Sequence, residues 1–154
     1  LKHLDDGWDL MIAHPPCTHL AVSGARWFKD KEEEQEEALD FVSMLLNAPI
    51  PRIALENPVG IISSRIRKPD QIIQPWMFGD EATKTTCLWL KNLPHLTPTN
   101  IVGKGARHVT KSGRSLPEWY NLPPSEDRGM KRSITFQDMA NAFAEQYGSL
   151  PIIK

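Results

Sequence analysis

The chain has only two cysteines, Cys17 and Cys87, and no Cys-x-x-Cys spacing. A disulfide scaffold is excluded, and a reducing interior such as the cytoplasm is the expected setting. No apolar run approaches the ~20 residues needed to cross a bilayer, so no membrane partner is expected. Nothing has the form of a signal peptide. Internal repeats and low-complexity tracts are also missing, which leaves solenoids and arrays out. The formal charge nearly cancels, at −1. A surface with that balance has no strong unspecific pull on nucleic acid, because such binding rests on Lys and Arg neutralising phosphates.

What is present is ordinary in amount and uneven in placement. At 154 residues with 40% hydrophobic content, the chain is long enough to bury a core as one domain, 1–154. Acidic residues crowd between Lys29 and Asp40, whereas Lys104, Arg107, His108, Lys111, Arg114, Arg128, Lys131 and Arg132 gather later. That later segment is a candidate phosphate-facing surface or a solvated basic loop.

Hydrophobic pattern gives the order of elements. Trp8 to Ala13 reads as a strand, Glu32 to Leu46 as a helix and Arg52 to Glu56 as a short buried strand, which together make a parallel strand–helix–strand unit. In the helix, Ala38, Leu39, Phe41, Val42, Leu45 and Leu46 form an apolar stripe, and the acidic run begins where the helix dipole favours it. Gly60 to Arg65 reads as a short helix or turn, Thr85 to Leu90 as a strand, and 92–132 as an irregular basic insertion. Ser133 to Tyr147 reads as a closing helix, capped by Ser133 or Thr135 and stopped at Gly148. The fold class expected is α/β.

Two motifs stand at the ends of the first two strands: Pro15-Pro16-Cys17, then Glu56-Asn57-Pro58. In open α/β sheets the residues past the carboxyl ends of strands line the ligand crevice, so a thiol and a carboxylate are expected side by side. That pair suits attack on a pyrimidine ring. A thiolate adding at carbon 6 makes carbon 5 electron-rich, and a carboxyl group that gives a proton to the ring nitrogen lowers the barrier. Cys17 is the candidate nucleophile, Glu56 the candidate acid, and Asn57 braces the loop or the base. The prolines restrict the backbone around both groups. Arg26 is a candidate cation near the thiol.

The motifs, their order and their strand-end positions resemble the cytosine-5 DNA methyltransferases, in particular the compact forms of phages and prophages. That family carries Pro-Pro-Cys on its catalytic loop and Glu-Asn-Pro or Glu-Asn-Val after the next strand, matched here at Pro15 to Cys17 and Glu56 to Pro58. The likeness spans Asp9 to Leu90 and, loosely, the last helix. It implies a partial Rossmann-like methyltransferase fold, with a mainly parallel sheet, flanking helices and an irregular C-terminal segment. The implied activity moves a methyl group from S-adenosylmethionine to carbon 5 of cytosine in DNA through a covalent Cys17 adduct, and the implied partner is DNA. Pro15, Pro16, His19, Pro58, Lys84 and Thr86 become substrate-binding candidates, the last two at the family's basic strand motif.

Departures from the family shape the expectation. Its strand, glycine turn and helix for S-adenosylmethionine, and the acid that follows its second strand, have no counterpart here. We therefore expect the C-terminal portion of a longer parent, with the cofactor site largely outside this chain. Gly103-Lys104-Gly105 is misplaced and too short to substitute, Lys84-Thr85-Thr86 has threonines where arginines belong, and Ala140-Asn141-Ala142 lacks the family's glycine.

Other readings compete. A pyrimidine-nucleotide methylase of thymidylate-synthase type also uses Pro-Cys followed closely by His, as in Pro16, Cys17 and His19, but Glu56-Asn57-Pro58 argues against it. A catalytically incomplete α/β module that binds nucleic acid or protein fits the missing cofactor half. A metal at His14, Cys17 and His19 is disfavoured, because the proline pair stiffens the loop between them.

Overall fold

The computed structural model describes residues 1–22 and 31–153. Its elements in order are β1 (Leu10–Ala13), α1 (Glu32–Leu46), β2 (Arg52–Pro58), α2 (Ile62–Arg65), β3 (Gln71–Ile73), β4 (Thr86–Lys91), β5 (Arg107–Val109), β6 (Ser115–Pro117), α3 (Arg128–Ser133) and α4 (Gln137–Gly148). They divide into two compact units. The first is Leu1–Ile73, Thr85–His95 and Leu150–Lys154; the second is Gln74–Lys84 and Leu96–Ser149.

The first unit is a four-stranded sheet in the order β1-β2-β4-β3. β1 and β2 are parallel, as the helix between them requires, with Ala13 beside Leu55 as the last registered pair. β4 runs antiparallel to both β2 and β3. The sheet is therefore mixed rather than mainly parallel. The physical reason is the connection: a crossover helix lies between β1 and β2, whereas the chain from β3 to β4 turns back through a single 3-10 turn at Pro75–Met77.

Register assigns the faces. Ala13, Leu55, Asn57, Cys87 and Trp89 share one face of the sheet, and Leu39, Val42 and Leu45 of α1 pack against it in one core cluster. Each of those three helix residues is buried, and such burial stabilises by roughly 2 kcal/mol per side chain. Glu32, Glu33 and Glu34 lie in the first turn of α1, favoured by the helix dipole, and Asn47 ends it, its Nδ2 donating to Ser43 O at 2.8 Å. β2 is buried on both faces at Ile53, Ala54 and Leu55, which explains its unbroken apolar run. Trp89 is fully buried and its Nε1 donates to Arg67 O at 2.7 Å.

Boundaries differ from expectation where pairing decides them. β1 begins at Leu10, not Trp8, because β2 offers a partner only from Arg52 onward; Trp8 is 56% exposed. β2 runs through Glu56, Asn57 and Pro58, which pair with Leu88, Cys87 and Thr86 of β4. The second motif thus lies inside the strand. β1 pairing stops at Leu55, and Pro58 sits in the final pair with β4.

The second unit holds the antiparallel hairpin β5–β6 and the helices α3 and α4. The expected closing helix is two helices, broken by extended backbone at Ile134 and Phe136. Phe136 packs edge-on against Trp119, whose centroid is 5.8 Å away, and this contact holds the break. The cap of α4 is neither Ser133 nor Thr135. Asp80 Oδ2 accepts from the backbone N–H groups of Asp138 and Met139 at 3.1 and 3.2 Å, a carboxylate from outside the helix serving its first turn.

Candidate active site

The site grows from the parallel register. One step beyond the Ala13–Leu55 pair, His14 falls beside Glu56; one further, Pro15 falls beside Asn57. Side chains join both steps. His14 Nδ1 lies 2.9 Å from Glu56 Oε2, and Asn57 Nδ2 donates to Pro15 O at 2.9 Å. The Glu56 side chain is 14% exposed and that of His14 43%, so the carboxyl is sheltered while the imidazole meets water. Asn57 is 1% exposed, and its Oδ1 is buried with no hydrogen-bond partner among the described residues.

Cys17 opens a tight turn. Leu20 N and Ala21 N both donate to Cys17 O, at 3.0 and 2.9 Å, which leaves the half-buried thiol at the start of the turn. The chain beyond then zips onto the segment after β2: Ile61 N donates to Leu20 O at 2.9 Å, Val22 N donates to Val59 O at 3.0 Å, and Ala21 bridges Gly60. A Cβ on Gly60 would lie 2.0 Å from Leu20 O, so only glycine permits this approach. Gln35 of α1 adds a third tie by donating to His19 O at 3.2 Å. Cys17 and Glu56 are thus carried at the same end of adjacent parallel strands on interlocked segments.

The remaining candidates are placed as follows. Pro15 is buried, Pro16 is exposed, and His19 and Pro58 are half-buried. Thr86 is fully buried in β4, with no surface open to a substrate. Lys84 belongs to the second unit, where its Nζ donates to Arg132 O and Ile134 O at 3.1 and 3.2 Å at the end of α3 and lies 5.6 Å from the Trp119 ring centroid. That is a helix C-terminal cap and a cation–π contact, both structural uses of its charge. Arg26 lies outside the described residues. Sequence reasoning read His14 as a loop or substrate-orienting residue, with a metal role disfavoured, and did not pair it with Glu56. Continuing the strand by one residue and matching it to the parallel neighbour was the signal available.

Burial and, after it, the charge of Glu56 push the Cys87 thiol up from its ordinary value, so this second cysteine stays a neutral core residue. Among the described residues no group of three His, Cys, Asp or Glu side chains is placed to hold a metal ion. No described helix is long and apolar enough to cross a membrane.

At this site the described residues offer S-adenosylmethionine neither an open glycine turn nor an unengaged carboxylate. Gly60, the glycine at the site, is closed against Leu20 O rather than open to a ligand, and Glu56 is engaged by His14 rather than left for a ribose. Gly105 of the Gly-Lys-Gly run is closed against the backbone of Glu81 in the same way. A hollow of about 360 Å³ near the start of β1 is lined by His3 and by apolar side chains, including Leu4, Trp8 and Met11, and by no carboxylate. No protein-family model matches the chain, and a search of curated proteins yields no match.

Proposed function

We propose that this chain carries the base-attacking site of a cytosine-5 DNA methyltransferase-like protein, with the methyl donor, S-adenosylmethionine, held by residues other than those described. The observation that carries the reading is the fastening of the two motif segments to each other across a parallel strand pair: Asn57 to Pro15, and Glu56 to His14, the residue just before the first motif. In this reading Cys17 Sγ adds to carbon 6 of a flipped cytosine, and Glu56 gives its proton to the ring nitrogen as that atom gains electron density. Support for a DNA partner comes from charge placement. Between Glu81 and Glu118 there is no acidic residue, while Lys84, Lys91, Lys104, Arg107, Lys111 and Arg114 all occur there. Arg107, Lys111 and Arg114 are exposed on the β5–β6 hairpin and the turn joining its strands, a polycationic surface suited to phosphates.

Hydrogen exchange at carbon 5 tests the addition step alone. While the adduct lasts, carbon 5 takes a proton from solvent, and reversal releases the original hydrogen, so tritium at that position of cytosine washes out without any methyl donor. DNA labelled there should lose tritium in the presence of the chain, and Cys17→Ser should stop the loss. Exchange that persists in Cys17→Ser removes Cys17 from the mechanism; exchange from the free nucleotide but not from DNA shifts the substrate to the nucleotide.

A further inference from the structure

Neither motif accounts for His14, yet its ring is the group that holds Glu56. Resting on the reading above, we propose that His14 is a positioning residue that donates Nδ1–H to Glu56 Oε2, turns Oε1 toward the base and stabilises the carboxylate left after proton transfer. Three observations converge on this. The register sets His14 opposite Glu56, and the side chains meet at 2.9 Å. The backbone that carries the imidazole is pinned on both sides, by Ala13 in β1 and by the buried Pro15, whose carbonyl accepts from Asn57. Glu56 is three times less exposed than His14, at 14% against 43%, so the contact is sheltered on the carboxyl side.

The gain arises during the reaction. The sulfur–carbon 6 bond forms, the displaced electron pair runs through the conjugated ring to nitrogen 3, and nitrogen 3 takes the proton of Glu56. Glu56 becomes a carboxylate, and the hydrogen bond from Nδ1 becomes charge-assisted, about twice as strong as its neutral form. A donor already aimed at a developing charge lowers the barrier without having to reorganise. Reversal returns the proton to Glu56 and expels the thiolate. A protonated imidazole would hold Glu56 ionised before the base arrives, so the neutral Nδ1–H form is the working one. In its unit the residue set against Glu56 is Leu88, its apolar partner in register on β4, whereas the Cys87 thiol, pushed up by burial first and by the charge of Glu56 second, lies on the opposite face of the sheet.

Two measurements on the 154-residue chain test the assignment. Nitrogen-15 NMR of the histidine rings, at a pH where imidazole is neutral, should find His14 as the Nδ1–H tautomer and should find it reverting to Nε2–H in Glu56→Ala. An Nε2–H tautomer in the unaltered chain overturns the inference whatever the activity. In the tritium exchange assay His14→Phe should lower the rate roughly 10- to 100-fold. His14→Asn, whose amide nitrogen stands near the Nδ1 position, should recover most of that rate. Exchange that needs Cys17 but is indifferent to His14→Phe overturns the inference and leaves the reading of the site intact. Absence of exchange in the unaltered chain, or exchange indifferent to Cys17→Ser, removes the reading and this inference with it.

Discussion

The two units use polar side chains in opposite ways. In the first, Asn57, His14 and Gln35 reach across the sequence to fasten loops at one end of a parallel strand pair, and a carboxyl oxygen and a thiol stand at that end. In the second, Asp80 and Lys84 reach across to the ends of helices, where their charges are consumed by backbone groups that would otherwise lack partners. The first arrangement positions groups, and the second completes secondary structure. Charge alone therefore does not mark function: Lys84 and Glu56 are both candidate site residues by sequence, and what each one bonds separates them.

Interlocking of the two motif loops is the strongest claim on the first side of that contrast, and Gly60→Ala attacks it directly. The added Cβ meets a backbone carbonyl rather than a flexible side chain, so the variant should lose about 3 kcal/mol or more in urea unfolding. Near-normal stability would mean that the loops separate easily and that Cys17 is not held where Glu56 is.

Capping predicts a smaller and more local effect. Asp80→Ala removes the acceptor for two N–H groups of α4 and should cost about 1 kcal/mol, read as a lower thermal midpoint by circular dichroism. If it costs as much as Gly60→Ala, polar fastening in the two units does not differ in the way described.

The smallest effects sharpen the comparison by placing the units at opposite ends of the pH scale. Burial disfavours ionised Asp70 in the first unit, but the Leu90 N–H and the Arg67 guanidinium outweigh it and hold the carboxyl below its ordinary value. Its stabilisation is present above the usual carboxylate range and is lost as pH falls below about 4. In the second unit burial pushes the Tyr147 hydroxyl up to about 12. That stabilisation is complete below the unfolded value of about 10 and disappears as pH rises from there through the folded one. Urea midpoints across pH should show Asp70→Asn flattening the acid limb and Tyr147→Phe flattening the alkaline limb. An acid limb that Asp70→Asn leaves unchanged would assign it to other carboxylates.

Local patterns were legible where a single periodicity dominated. α1 runs over the expected Glu32 to Leu46, because its apolar stripe and acidic first turn agree on the same ends, and the strand–helix–strand unit follows from it. The closing helix was misread as one element because Ser133 and Thr135 look like caps, whereas the break is held by Phe136 against Trp119 and the cap comes from Asp80, far away in sequence. The direction of β4 was also out of reach. A strand's own residues carry no mark of parallel or antiparallel pairing when both faces are buried.

For the site, the sequence by itself determined which chemistry is on offer: a thiol behind two prolines and a carboxylate before Asn-Pro, each near the end of an apolar strand. That follows from residue type and local backbone restriction, which need no neighbours. Tertiary structure alone decided which of these groups meet. His14 joins Glu56 and Asn57 joins Pro15 because a parallel register carries residues 42 positions apart to the same height on adjacent strands. Lys84 is drawn instead to the end of α3, and Thr86 is sealed inside β4. Contacts of that range depend on pairing and burial, which are properties of the assembled sheet and not of any segment within it.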